Sequence, residues 1–248
     1  RGVTTIQQRK KPMKDRTNHD PRVLLEVRLS NVLSFGPEAE ALPLEKLNVL
    51  IGPNGAGKSN LIETLALMRA TPVLPQTTSN ADVRGVLRRG GGANEWVWKG
   101  AKGNPASVEL VVNNPKGSQA LRHVFSFRGD ERGFVLHDER VENEKPYGNQ
   151  TEAYFFYRFQ SGHPVVNTVA TEAEDTATHP PGIRNTPRRQ RKLAQETVNL
   201  EVSILAQRRD PELYPEITHL ADGYEKWRIY REWAFGRNTV FREPQKAD

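Results

Sequence analysis

Gly52-Pro53-Asn54-Gly55-Ala56-Gly57-Lys58-Ser59 is the stretch on which the reading of this chain turns. It has the form G-x-x-x-x-G-K-[ST], the pattern of a phosphate-binding loop. At average residue frequencies these residue types fall at that spacing by chance, in a chain this long, only roughly once in a hundred times. The flanks agree with the motif. Leu47-Asn48-Val49-Leu50-Ile51 reads as a short buried strand and Asn60 to Ala70 as a helix. Strand, glycine-rich loop and helix is the context the motif needs. A plain turn between strand and helix has no use for Lys58 and Ser59 at this point.

The chemistry follows residue by residue. A nucleoside triphosphate presents several negative charges close together. Backbone N–H groups at a helix start, helped by the helix dipole, can receive them. The chain must curl for those groups to converge. Gly52, Gly55 and Gly57 permit the close approach and the unusual dihedrals. Lys58 would set its ammonium against the outer phosphates, and Ser59 would offer its hydroxyl to Mg²⁺. The expected nucleotide-binding set is Gly52, Asn54, Gly55, Ala56, Gly57, Lys58, Ser59 and Asn60, with Ser59 also the metal ligand. ATP and Mg²⁺ are the expected cofactors. In the following helix Leu61, Ile62, Leu65 and Met68 mark an apolar face. Pro72 should end it by pushing Thr71 out of helical geometry.

Composition narrows the rest. The 248 residues allow one large domain, or one domain with an inserted subdomain. At 36% hydrophobic the chain can build a core, and a mean hydropathy of −0.69 implies much polar surface. No apolar run approaches the ~20 residues needed to cross a bilayer, and no signal peptide is visible. With no cysteine, disulfides and thiolate metal sites are excluded, and a cytoplasmic protein is expected. The six histidines lack metal-ligand spacing. Net charge is +6. Residues 1–22 hold Arg1, Arg9, Lys10, Lys11, Lys14, Arg16 and Arg22 against Asp15 and Asp20, so most of that excess sits in an N-terminal arm. The arm reads as a disordered leader or as a nucleic-acid-binding arm, the former being commoner. The chain opens on Arg1, and Met13 is a candidate natural start.

Along the chain, Val23–Leu29 alternates, with Leu25, Val27 and Leu29 on one face, and reads as a first strand. Gly36-Pro37 and Pro43 place a turn or short hairpin before the loop strand. Thr71–Ala81 and Gly90-Gly91-Gly92 read as loops. Ser107–Val112, Leu121–Arg128, Gly133–Val141 and Glu152–Phe159 follow as short strands separated by turn signals, an antiparallel meander. The meander is expected over about 93–170, a mobile polar loop over about 171–190 and a helical segment over about 191–235. The aromatic run Tyr154–Phe159 suits a strand covered on both faces better than a base-stacking platform. Arg188-Arg189-Gln190-Arg191-Lys192 suits a solvated helix start or a nucleic-acid contact. Asp210-Pro211 reads as an N-cap with Pro at N1. Leu213, Ile217, Leu220, Tyr224 and Trp227 then mark an amphipathic helix that Gly223 weakens and splits.

Binding ATP is not hydrolysing it. Hydrolysis needs an acidic residue near Mg²⁺ and a group that orients or deprotonates water. Phe134-Val135-Leu136-His137-Asp138-Glu139 is the one segment close to that pattern. Asp138 would reach Mg²⁺ through water and Glu139 would act as base. Alternatively the pair belongs to a meander strand ending at a charged turn. The antiparallel neighbours and the interrupting His137 favour this second reading.

Gly52–Asn60, preceded by Leu29-Ser30-Asn31-Val32-Leu33-Ser34-Phe35-Gly36, resembles the N-terminal part of RecF/SMC-like ATPases. These are relatives of ABC ATPase heads and include OLD-like bacterial ATPases counted in the AAA family. Ser203–Glu212 resembles a later segment of such proteins. The resemblance implies an α/β fold: a P-loop NTPase head of ABC/SMC type with an antiparallel β-subdomain after the P-loop helix. It implies a Q-loop glutamine, for which Gln207 and Gln160 are candidates, and then a Ser-Gly-Gly signature, a Walker B Asp-Glu pair and a switch His. None of these last three is found in order, so the chain is expected to be the N-terminal portion of a longer head. Such heads act as head-to-head dimers of the full-length protein, with DNA among the implied partners and repair or phage defence as the setting; no membrane partner is expected. A nucleotide-sensing module without turnover is the alternative. A GTPase is disfavoured because Asn-Lys-x-Asp is absent.

Overall fold

Turn residues and two-residue alternation build most of this molecule. The computed structural model describes residues 22–38, 40–76, 80–131, 133–160, 163–169, 188–192, 198–199 and 201–230. Its strands are β1 (Leu24–Ser30), β2 (Leu42–Pro43), β3 (Ala106–Val112), β4 (Leu121–Asp130), β5 (Gly133–Asn143), β6 (Phe155–Gln160), β7 (His163–Val169) and β8 (Arg188–Lys192). They form one sheet in the order β2-β1-β3-β4-β5-β6-β7-β8, with every neighbouring pair antiparallel. The helices are α1 (Lys58–Ala70), α2 (Val83–Arg89), α3 (Ala93–Trp96), α4 (Ile204–Gln207) and α5 (Pro215–Glu225). The chain is thus mixed α/β, and the meander is continuous with β1 and β8 in one sheet.

The sheet's two faces differ sharply. Register places Val27, Leu110, His123, Val141, Tyr157 and Val166 in one row across the sheet. With Phe125, Phe127 and Phe159 these residues share a core with Leu67 and Met68 of α1, Val86 and Leu87 of α2, Trp96 of α3, Ile204 and Leu205 of α4, and Leu220 and Tyr224 of α5. The opposite face carries charge. Arg122 lies 2.5 Å from Glu142 and 3.8 Å from Glu109, Arg140 lies 3.0 Å from Asp138, and Arg158 lies 3.3 Å from Glu152. Long arginine stems can cover such a face while their heads stay paired. A register irregularity between Leu24 and Glu26 separates Leu25 from Val27 and Leu29. Leu25 packs in a small second cluster with Val111 and Ala120, against the expectation of one common face.

Several expectations are corrected. Leu47–Ile51 is not a buried strand: Leu47, Val49 and Ile51 are 82%, 73% and 86% exposed. The backbone there makes no hydrogen bond among the described residues. No parallel pair exists among those residues. The buried stripe of α1 is Leu61, Thr64, Leu67 and Met68, while Ile62 and Leu65 are half-buried. Thr71 keeps helical dihedrals (φ −60°, ψ −34°), so α1 stops because Pro72 has no N–H, and not through a displaced Thr71. Arg188–Lys192 is an edge strand, not a helix start, and it takes residues from both the expected loop and the expected helical segment.

In the C-terminal part, Asp210 caps a turn by accepting from the N–H groups of Glu212 (2.8 Å) and Leu213 (3.0 Å). The helix itself begins at Pro215 and runs unbroken through Gly223. Asp82 signals helix α2: its carboxylate accepts from the Gly85 N–H at 3.3 Å. The N-terminal arm before Arg22 and the polar segment 170–187 lie outside the described residues. No described helix is long and apolar enough to cross a membrane.

Candidate functional site

The phosphate loop owes its shape to two left-handed glycines. Gly55 has φ 82° and Gly57 φ 85°, a region that side chains rarely tolerate. Gly57 is the N-cap of α1 and supplies no capping side chain. Among the described residues, the backbone N–H groups of Gly55, Gly57, Lys58, Ser59 and Asn60 have no acceptor. Orphan donors at a helix start, in an exposed loop, form a cradle for an anion. This donor set fits the phosphates of a nucleotide. Lys58 Nζ donates to the carbonyls of Gly52 and Pro53, at 2.8 Å each, and so lies across the mouth of the cradle. Ser59 is exposed and has no partner among the described residues, leaving its hydroxyl available for a hydrated cation.

The loop rests on a second turn, Asn31–Gly36. A Cβ on Gly57 would lie 2.9 Å from Ser34 Oγ and 3.3 Å from Phe35 Cζ, so any larger residue would have to displace Ser34. Asn60 Nδ2 donates to Ser34 Oγ at 2.8 Å. Asn31 and Leu33 both have φ 52°, a strained state for Leu33 in particular, with a cost on the order of 1–3 kcal/mol. The surroundings hold it: Leu33 N–H donates to Trp96 O (2.7 Å), Phe35 N–H to Val32 O (2.9 Å), and Trp98 N–H to Asn31 O (2.9 Å). Ser34 and Phe35 therefore shape the site, a role that motif reading missed. Their only signal was their place in the Leu29–Gly36 segment that carried the resemblance.

Glu139 does not serve as a water-activating base. It is fully buried on β5. Its Oε1 accepts from Ser203 Oγ at 2.5 Å and its Oε2 from the Ile204 N–H at 2.8 Å, which fastens the start of α4 to the sheet. His123 Nε2 lies 3.3 Å from Oε1, and His123 Nδ1 lies 3.0 Å from Tyr224 Oη on α5. Burial, with the Glu139 charge nearby, pushes the Tyr224 hydroxyl well above its usual range, so it keeps its proton. Tyr224 then donates to Nδ1, and the His123 Nε2–H donates to Glu139; this tautomer satisfies every member of the network.

Asp138 faces the opposite side of the sheet and pairs with Arg140. Burial raises its carboxyl above the usual 3.8, against the pull of the Arg140 charge. Successive residues of one strand point to opposite faces, so the pair cannot converge on one metal and one water. The pair therefore belongs to a meander strand, but not to a charged turn at its end: β5 runs on through Asp138 and Glu139 to Asn143.

The glutamine candidates are also placed. The Gln207 amide closes the turn before α4: Oε1 accepts from the Asn199 N–H (2.8 Å), and Nε2 donates to the carbonyls of Asn199 (2.9 Å) and Val202 (2.6 Å). Gln160 ends β6, paired with Asp138 and His163. The aromatic run lies largely in the core, with Phe156, Tyr157 and Phe159 buried, which removes them as stacking platforms. No cluster of three or more metal-ligating side chains occurs among the described residues.

The cradle and the fold around it agree with one comparison. No curated protein and no solved structure was found to match the chain. Residues 47–219, well over half of it, match the model of the family described as "AAA domain, putative AbiEii toxin, Type IV TA system". That span begins at the exposed segment before the phosphate loop, includes the loop and the meander, and ends inside α5. A nucleotide-binding, ATPase-type domain is what the phosphate cradle requires, and the chain belongs to this AAA-domain family of P-loop ATPase relatives.

Proposed function

We propose that this chain supplies the phosphate-binding half of an ATPase head of RecF/SMC type, and that the other half comes from a further stretch of polypeptide. The observation that carries the reading is the junction at Gly52. On one side lies a cradle whose N–H groups at Gly55 and Gly57–Asn60 are unspent among the described residues, with Lys58 at its mouth. On the other lies Leu47–Ile51, whose Leu47, Val49 and Ile51 side chains are exposed and whose backbone pairs with nothing among the described residues. Consecutive apolar residues without alternation are the mark of a strand buried on both faces, as in a parallel core sheet. A strand of that kind leaves too much unsatisfied unless other strands pair with it.

Neither Lys58 nor Ser59 meets a carboxylate among the described residues, and Glu139 is spent on α4. The acid that completes the site would come with the strands that would cover Leu47–Ile51. Gly52, Asn54, Gly55, Ala56, Gly57, Lys58, Ser59 and Asn60 would hold ATP, and Ser59 would touch its Mg²⁺. The cation would neutralise charge across the phosphate oxygens. Assembly as a head-to-head dimer, and work on DNA in repair or phage defence, rest on the family resemblance alone.

Nucleotide titration and turnover on the full chain test this reading. MgATP is expected to bind, with turnover at background, and Lys58→Ala should weaken binding at least tenfold. Equal binding by wild type and Lys58→Ala would overturn the cradle. Turnover abolished by Lys58→Ala would overturn the half-site.

A further inference from the structure

Asn54-Gly55 is the one Asn-Gly pair in the sequence. Asparagine is among the thermolabile residues. A glycine after it leaves the next backbone nitrogen unshielded, since no Cβ stands beside it. The pair sits in a turn closed by the Ala56 N–H donating to Pro53 O at 3.3 Å, and both residues are exposed. Gly55 has φ 82°, and a Cβ there would meet nothing within 4 Å. Among the described residues neither the Asn54 amide nor the Gly55 N–H has a hydrogen-bond partner. Within that set, nothing holds the Gly55 nitrogen away from Asn54 Cγ. Other asparagines are fastened. Asn48 Nδ2 donates to Glu45 O at 2.8 Å, and Asn60 Nδ2 to Ser34 Oγ at 2.8 Å. Asn149 is exposed too, but Gln150 follows it, and the Gln150 N–H donates to Tyr147 O at 3.0 Å.

We propose that Asn54 is a site of spontaneous deamidation, and that the acid formed there disables the phosphate cradle. The Gly55 nitrogen, having given its proton to solvent base, attacks Asn54 Cγ. The N–Cγ bond forms, the Cγ–Nδ2 bond breaks, and Nδ2 leaves as ammonia with a proton from solvent. Water then opens the cyclic imide. Addition at Cγ gives aspartate. Addition at the Asn54 backbone carbonyl carbon gives isoaspartate, with the main chain now running through Cβ and Cγ. Nothing is oxidised or reduced: an amide and water become an acid and ammonia. Either product places a negative charge where the cradle receives phosphates, and like charges repel most strongly at short range. Isoaspartate also lengthens the backbone between Gly52 and Lys58, so the N–H groups no longer converge. A bound triphosphate would accept from the Gly55 N–H and hold that nitrogen out of reach. Nucleotide thus protects Asn54, while the nucleotide-free protein ages; this coupling rests on the nucleotide-site reading above.

Peptide mapping by mass spectrometry tests this, on the full chain incubated at mildly alkaline pH with and without MgATP. Without nucleotide, Asn54 should convert at least tenfold faster than Asn149. Methyl acceptance from an isoaspartyl methyltransferase should identify isoaspartate in the same peptide. Saturating MgATP should slow conversion at Asn54 at least fivefold and leave Asn149 unchanged. Aged protein should lose MgATP binding in proportion to the converted fraction, with its circular dichroism unchanged. Asn54→Asp should bind MgATP at least tenfold more weakly than fresh wild type. Asn54→Gln, whose longer side chain closes a larger ring slowly, should keep its starting affinity on ageing, whatever that affinity is. Conversion at Asn54 no faster than at Asn149 would overturn the proposal and leave the cradle standing. So would full MgATP binding by converted protein or by Asn54→Asp. Fresh wild type that binds no MgATP would overturn the nucleotide-site reading and this proposal together, a failure seen before any ageing.

Discussion

Gly57 shows how much a single residue decides here. It turns the chain into α1 at φ 85°, and the place of its absent Cβ is bounded by Ser34 and Phe35. Gly57→Ala must pay for a left-handed alanine, about 1–2 kcal/mol, and must displace Ser34. The expected outcome is a loss of that size in urea denaturation, together with loss of ATP binding in titration. Asp138 offers a pH test. Its folded value is raised, so the folded state favours the protonated form. That contribution is fully present below the ordinary value of 3.8 and is lost as pH rises through the raised folded value. Asp138→Asn should therefore gain stability relative to wild type as pH climbs from 3 to 7, offset in part by the weakened Arg140 contact. A difference in unfolding free energy that stays constant over this range would show the argument wrong. The chemical identity of the loop residues was fully legible. The service of Ser34 and Phe35 was not, because nothing in their side chains announces a partner more than 20 positions away.

Elements were legible where local forces suffice. Alternation and turn residues located β3, β4 and β5 to within about two residues at most ends, since the two-residue period is a property of the strand itself. Helix α5 was legible from its stripe of Ile217, Leu220 and Tyr224. Gly223 neither splits nor bends it out of register. A Cβ at Gly223 would meet nothing within 4 Å and the site is helical, so Gly223→Ala should stabilise the protein by up to about 1 kcal/mol, read as a higher Tm. Illegible features were those set by neighbours: the irregularity that separates Leu25 from Val27, and the solvent-exposed state of Leu47–Ile51. A run of Leu, Val and Ile announces burial, but only partner strands can provide it.

At the scale of the whole molecule, the Glu139 network ties sheet to helices. It joins β4, β5, α4 and α5, and α5 packs with α1 in the same core beneath the phosphate loop. Glu139→Ala leaves His123, Ser203 and the Ile204 N–H without an acceptor in a dry interior, and should cost about 3 kcal/mol. Tyr224→Phe removes one hydrogen bond and should cost about 1 kcal/mol. Chemical denaturation of the two single variants and the double should give non-additive losses, because both residues act through His123. Additive losses would mean that the two contacts are energetically separate. The amino-acid sequence by itself determined the phosphate cradle, most of the strands and the amphipathic stripe of α5, because each depends on residue chemistry or on dihedral and periodic preferences over a few positions. Only the tertiary structure decided that Glu139 is a buried staple and that Arg188–Lys192 lies at a sheet margin. It alone also left the segment before the loop without a partner among the described residues. Those outcomes depend on contacts between residues far apart in the chain, and burial and pairing are properties of the assembled sheet.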